Sequence, residues 1–129
     1  IMFTLARTTE VRFALWDEFD LEDQEPIWRI PAEKMKMKQE HIVPLSRQAS
    51  VLIGEVRRFT QGENYVFHQV YNPKMPMSEN TMLWAMYRMG YHSRATVHGF
   101  RATMSTLLNE KGHNRDVIEH LLAHQDQAP

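Results

Sequence analysis

Two short β-rich runs, Ile27-Trp28-Arg29-Ile30-Pro31 and His41-Ile42-Val43-Pro44-Leu45, stand among segments whose apolar residues otherwise recur at helical spacing. Runs of this length bounded by turn residues read as a hairpin-like pair of strands, which needs helices to cover it. The expected fold is therefore mainly α with one small antiparallel β-sheet, an α+β arrangement in a single domain over residues 1–129.

The helical signals come in capped units. Ser46 is placed to cap a helix over 46–59, with Ala49, Leu52, Ile53 and Val56 on its buried stripe. Ser78 is placed to cap another that carries Met82, Leu83, Met86 and Met89 and stops at Gly90. That methionine stripe reads as adaptable core packing rather than a binding groove. Thr96 or a neighbour caps the helix opening TVHGFRATMSTLLNEKG; Gly112 ends it, and Asn114 caps a last helix with Val117, Ile118, Leu121 and Leu122 inward and His124 at its end. At the other end, Leu5, Val11, Ala14 and Leu15, with Trp16, predict an amphipathic helix interrupted around Arg7-Thr8-Thr9. Thr8 or Thr9 would cap its second piece, Glu10 to Glu18, placing Arg7 at the joint. Residues 19–26, acidic and closed by Pro26, read as a loop, and Tyr65-Val66-Phe67 as a short buried extended segment.

Composition removes several function classes. With 43% hydrophobic and 24% charged residues the chain has the material for a core and no signature of disorder. No apolar run approaches the length of a membrane span and no signal-peptide pattern is present. The absence of cysteine rules out disulfides and thiolate zinc sites, and the seven histidines form no His-x-x-x-His pair, so no metal is expected. A net charge of −1 counts weakly against nucleic-acid binding, although basic residues are concentrated in the first half of the chain.

Three features carry chemistry. His98 and Arg101, three residues apart, share one face of a helix's first turn, where the helix end also favours an anion; the same spacing also occurs on ordinary solvated faces. Glu33-Lys34-Met35-Lys36-Met37-Lys38-Gln39-Glu40 joins the two β-rich runs. On a strand or turn its alternate lysines would point one way, either as a solvated edge that blocks aggregation or as a mobile lysine delivered to a phosphate. Arg7 beside a helix start is a surface residue unless something pairs with it.

Taken together, RTTEVRFALWDEFDLE, IWRIPAEKMKMKQEHIVPLS, PMSENT, HGFRATMSTLLNEKG and DVIEHLLAHQ resemble the tyrosine recombinases, or phage integrases, most closely those of satellite phages and genomic islands. The resemblance implies the catalytic fold of these DNA breaking-rejoining enzymes, without their amino-terminal DNA-binding domains and with the C-terminal part cut short. Residue by residue it implies catalytic roles for Arg7, Lys36, His98, Arg101 and His124, with Glu10 shaping the site and Lys38 competing with Lys36 as the catalytic lysine. Arg7, Lys36, Lys38 and Arg101 would contact DNA. The implied reaction is attack of a tyrosine hydroxyl on a phosphodiester to give a phosphotyrosyl intermediate, with no cofactor. The implied partners are double-stranded attachment sites, bound as a tetramer by the full-length protein, in the cytoplasm of a bacterium at the nucleoid and not at a membrane.

Tyr65, Tyr71, Tyr87 and Tyr91 all precede His98, whereas the family's nucleophile follows the second histidine. The expectation is thus an incomplete piece of an integrase that cannot cleave DNA alone. The alternatives are a non-catalytic DNA-binding or regulatory remnant, and an unrelated helical interaction module.

Overall fold

The computed structural model describes residue 1 and residues 3–123. The described residues form five α-helices and a three-stranded antiparallel sheet. The helices are α1 (Thr8–Arg12), α2 (Arg47–Thr60), α3 (Thr81–Arg88), α4 (Val97–Glu110) and α5 (Arg115–Leu121). The strands β1 (Phe19–Asp20), β2 (Ile27–Ile30) and β3 (His41–Pro44) lie in the order β1-β2-β3.

The two β-rich runs do pair, with Trp28 opposite Val43 and Ile30 opposite His41. Burial alternates along both strands, so Trp28, Ile30, His41 and Val43 face inward while Arg29 and Ile42 face out. The acidic segment expected to be all loop starts as a third strand. Phe19 pairs with Trp28, and their rings stack at 5.3 Å, so aromatic burial extends the sheet where acidity suggested a loop.

Helix capping follows the sequence at three of its five expected positions. The side chains of Ser46, Thr96 and Asn114 accept from the amides of Ala49, Gly99 and Asp116. Gly112, at φ +79°, ends the α4 unit. One exception is Ser78: its hydroxyl bonds that of Thr81, and Asn80 occupies the capping position; the other is the start of α1, where Arg7 stands in the place expected for Thr8 or Thr9. Leu52, Met89 and Val117, expected inward, are 52%, 63% and 56% exposed, because each helix buries a stripe narrower than its run of apolar residues.

The first eighteen residues depart most from the expected interrupted helix. Among the described residues none before Arg7 is helical, and α1 is a single short helix ending at Arg12. Beyond it the backbone is drawn into pairing with the 64–66 segment, through Val66 N–H to Ala14 O at 3.0 Å and Trp16 N–H to Asn64 O at 3.0 Å. A one-turn 3-10 helix, Trp16–Glu18, is all that remains of the second piece. Val66 is fully buried in the extended segment expected around it.

Two apolar clusters result. The larger joins Ala6, Ala14, Trp28, Ile30, Met35, Val43, Leu45, Ala49 and Val66; the smaller joins Leu5, Ile118 and Leu122, with Met104 and Leu108 against them. Leu5 and Ala6 are adjacent but belong to different clusters, so the chain crosses the seam between them immediately before Arg7.

Candidate active site

Arg7 occupies the position before the first residue of α1, as its place at the joint implied. Neither Thr8 nor Thr9 caps that helix. Glu10, 9% exposed, reaches back to accept the Arg7 backbone N–H at 2.8 Å and the Arg7 guanidinium at 3.4 Å. The arginine head is thereby held beside a nearly buried carboxylate.

Arg101 lies one turn into α4 and is 7% exposed. Its Nε donates to Leu5 O at 2.7 Å and its Nη2 to Leu122 O, so one guanidinium joins the entry segment, α4 and the end of α5. Leu5 carries φ +59°, an unusual left-handed conformation for a leucine, which turns the chain at the point where its carbonyl meets Arg101. Burial, and then the positive charge of Arg7, lower the Arg101 pKa, while Glu10 and Glu119 oppose that shift. Arg7, Glu10 and Arg101 thus form one electrostatic group at the seam between the two clusters.

His98 stands exposed on the first turn of α4. Its neighbour Gly99 is packed tightly: a Cβ there would fall 2.6 Å from the Thr96 hydroxyl that caps the helix. Lys36 and Lys38 are exposed in the β2–β3 connection, which is a 3-10 turn at Ala32–Lys34 followed by turns and bends. The alternating lysines do not point one way. Lys34 turns inward, donating to Glu18 at 2.5 Å and to Phe13 O at 2.7 Å, because a buried carboxylate awaits it and the connection is no strand. Among the described residues, neither Lys36 nor His98 hydrogen-bonds to the Arg7–Glu10–Arg101 group. His124 lies outside the described residues.

Sequence reasoning missed His41 and Glu18. His41 is 7% exposed at the start of β3, with its ring 5.8 Å from that of His120 in an edge-on contact. Burial lowers its pKa first; Glu10 and the Leu121 backbone favour the charged ring, while His120 and Arg7 disfavour it. The period-two alternation of His41, Val43 and Leu45 carried that signal. Glu18 accepts from Leu15 N–H, the Trp28 indole and Lys34, a convergence of distant residues with no local pattern.

The sequence profile of the phage integrase family matches residues 1–128. The chain belongs to this family. It is 38% identical to the integrase of Enterobacteria phage P4 over 141 residues, covering 98% of this chain and 32% of that one. It is 42% identical to the prophage integrase IntZ of Escherichia coli K12 over 127 residues, covering 96% of this chain and 30% of that one. The chain therefore spans about a third of the length of these integrases. Its fold matches that of the Tn1549 transposon integrase, solved in complex with circular intermediate DNA, with a TM-score of 0.69 and 16% identity over 98% of this chain and 48% of that one. No helix among the described residues is long and apolar enough to cross a membrane.

Proposed function

We propose that this chain is the phosphate-activating part of a site-specific recombinase, acting in integration or excision of a mobile element at double-stranded attachment sites. The observation that carries the reading is the meeting of Arg7 and Arg101, from opposite ends of the chain, around Glu10 in a member of the phage integrase family. Two planar cations in one place suit the non-bridging oxygens of a phosphodiester, whose charge grows in the transition state.

In the proposed reaction a tyrosine hydroxyl attacks phosphorus, the phosphorus–O5′ bond breaks, and a 3′-phosphotyrosyl bond forms, conserving energy for rejoining. Lys36, with Lys38 as its competitor, protonates the departing 5′-oxygen from the exposed loop. His98 assists proton transfer at the nucleophile, and His124 donates to the phosphate. No cofactor enters this scheme, and the full-length protein acts as a tetramer on DNA in the bacterial nucleoid. None of the four tyrosines among residues 1–129 follows His98, so the proposed scheme assigns the attack to none of them.

The test uses the full-length gene product and a nicked attachment-site duplex that traps the covalent adduct. Arg7→Ala or Arg101→Ala should slow adduct formation by on the order of a hundredfold, about 3 kcal/mol of barrier. Residues 1–129 alone should give no detergent-resistant adduct. Full-rate cleavage by both arginine variants would refute the proposed chemistry.

A further inference from the structure

The β2–β3 connection carrying Lys36 and Lys38 returns to the sheet at His41, opposite Ile30. There the ring of His41 turns inward instead of continuing the polar character of the loop, and it is 7% exposed. It meets α5 twice, edge-on against His120 at 5.8 Å and through a hydrogen-bonding interaction with the Leu121 backbone. The next residue, Leu122, gives its carbonyl to Arg101. Two side chains from different parts of the chain thus hold consecutive residues at the end of α5.

We propose that His41 is a positioning residue for the arginine site, latching the root of the lysine loop to the same α5 terminus that orients Arg101. The proposal rests on the recombinase reading for what the site binds, but the latch is a property of this chain alone. The charged and titratable groups around the ring are Glu10 and Arg7 at α1 and His120 on α5; Ile30 pairs with His41 from β2. Arg101 on α4 and Glu119 on α5 belong to the same charge group through their effect on one another. Burial keeps the ring in its neutral form more than an exposed imidazole, and Arg7 and His120 act in the same direction. An anion answering Arg7 removes part of that opposition, so the site takes up a proton at His41 when phosphate binds. DNA affinity then rises as the pH falls through the range in which His41 titrates, by linkage.

Two measurements on wild type, His41→Gln and His41→Phe test this. The first needs no DNA: hydrogen exchange at the Arg101 Nε–H, followed by NMR, should be about tenfold faster in His41→Phe, while His41→Gln, which keeps an N–H donor, stays near wild type. The second is binding of a short duplex across pH 5.5–7.5 by fluorescence anisotropy, in which both variants should lose the part of the slope due to His41. Equal exchange in all three proteins, or an unchanged pH slope in both variants, would overturn the latch. Should His41→Phe fail to fold, wild type decides: its Arg101 Nε–H resonance must follow the His41 titration, and an indifferent resonance overturns the proposal. Duplex binding that is equally strong in Arg7→Ala plus Arg101→Ala would instead refute the recombinase reading, and the exchange result would separate that failure from a failure of the latch.

Discussion

The loop that carries Lys36 is anchored by a half-buried ion pair, and removing that anchor should cost more than any surface change nearby. Glu18 is 8% exposed and accepts from Leu15 N–H at 3.1 Å, Trp28 Nε1 at 3.2 Å and Lys34 Nζ at 2.5 Å. Glu18→Ala takes the acceptor from all three donors at once, leaving Lys34 with only Phe13 O. Each buried donor left unmet costs about 1–3 kcal/mol, but the Lys34 side chain is 28% exposed and recovers part of its hydration, which brings the expected loss to about 3 kcal/mol. Lys34→Met should cost less, roughly 1–2 kcal/mol, because Glu18 keeps two donors and the methionine stem still packs. Glu18→Gln should fall between them, since its carbonyl oxygen still accepts while its amide faces the lysine. Urea unfolding reads the order directly: at a typical m near 1.5 kcal/mol/M, a 3 kcal/mol loss lowers the midpoint by about 2 M. A Glu18→Ala midpoint within ~0.3 M of wild type at unchanged m would show that the three donors find other partners, and the reasoning would fail.

Other consequences are equally open to measurement. Arg101→Lys keeps the charge but cannot span both carbonyls, so Leu5 or Leu122 loses its donor; a cost of about 2 kcal/mol, or roughly 5–10 °C in Tm, is expected, and an unchanged Tm would refute the bridging role. Gly99→Ala drives a Cβ against the Thr96 hydroxyl, so the cap must rotate away, with a loss of about 1 kcal/mol in urea unfolding; a more stable variant would show that helix propensity wins. The lowered His41 pKa makes the unfolded chain the stronger proton binder, so this group's stabilisation is fully present above pH 6.5, declines as pH falls toward the folded-state pKa and then levels off. Urea midpoints across pH 5–8 should show that decline in wild type and a smaller one in His41→Gln; parallel profiles would refute it.

What the sequence disclosed was whatever its local chemistry controls. Ser46, Thr96 and Asn114 cap helices because a side-chain oxygen two or three residues ahead of an amide needs no tertiary help, and the paired strands follow from composition and alternation. Phe19 failed as loop because its pairing partner, Trp28, lies across the acidic turn. The second helical piece failed because residues near 65 claim the backbone of Ala14 and Trp16, a long-range competition invisible to periodicity. In the site, family resemblance led to Arg7, Glu10 and Arg101, which the fold brings together, and to Lys36 and His98, which stand exposed. Lys34 shows the limit: within one run of alternating lysines, only the position of a distant buried glutamate separates an anchor from an exposed cation.

The two arginines are held in different ways, and that difference has a mechanistic consequence. Arg101 is fixed by main-chain carbonyls from two separate segments, so its plane is set by backbone that a bound anion does not have to rearrange. Arg7 has a 30% exposed side chain and a 3.4 Å contact to Glu10, an engagement long enough to yield to a stronger acceptor. A phosphate arriving between them would meet one donor already in place and one that swings from carboxylate to phosphate. Preorganised donors contribute most to a transition state because no reorganisation is required as charge develops. The electrostatic strain of keeping two cations close, already opposed by Glu10 and Glu119, would be relieved by such an anion. On the proposed recombinase reading Glu10 would therefore serve as a placeholder for the ligand as well as the reciprocal partner at the start of α1, stabilising Arg7 until a phosphate took over that charge.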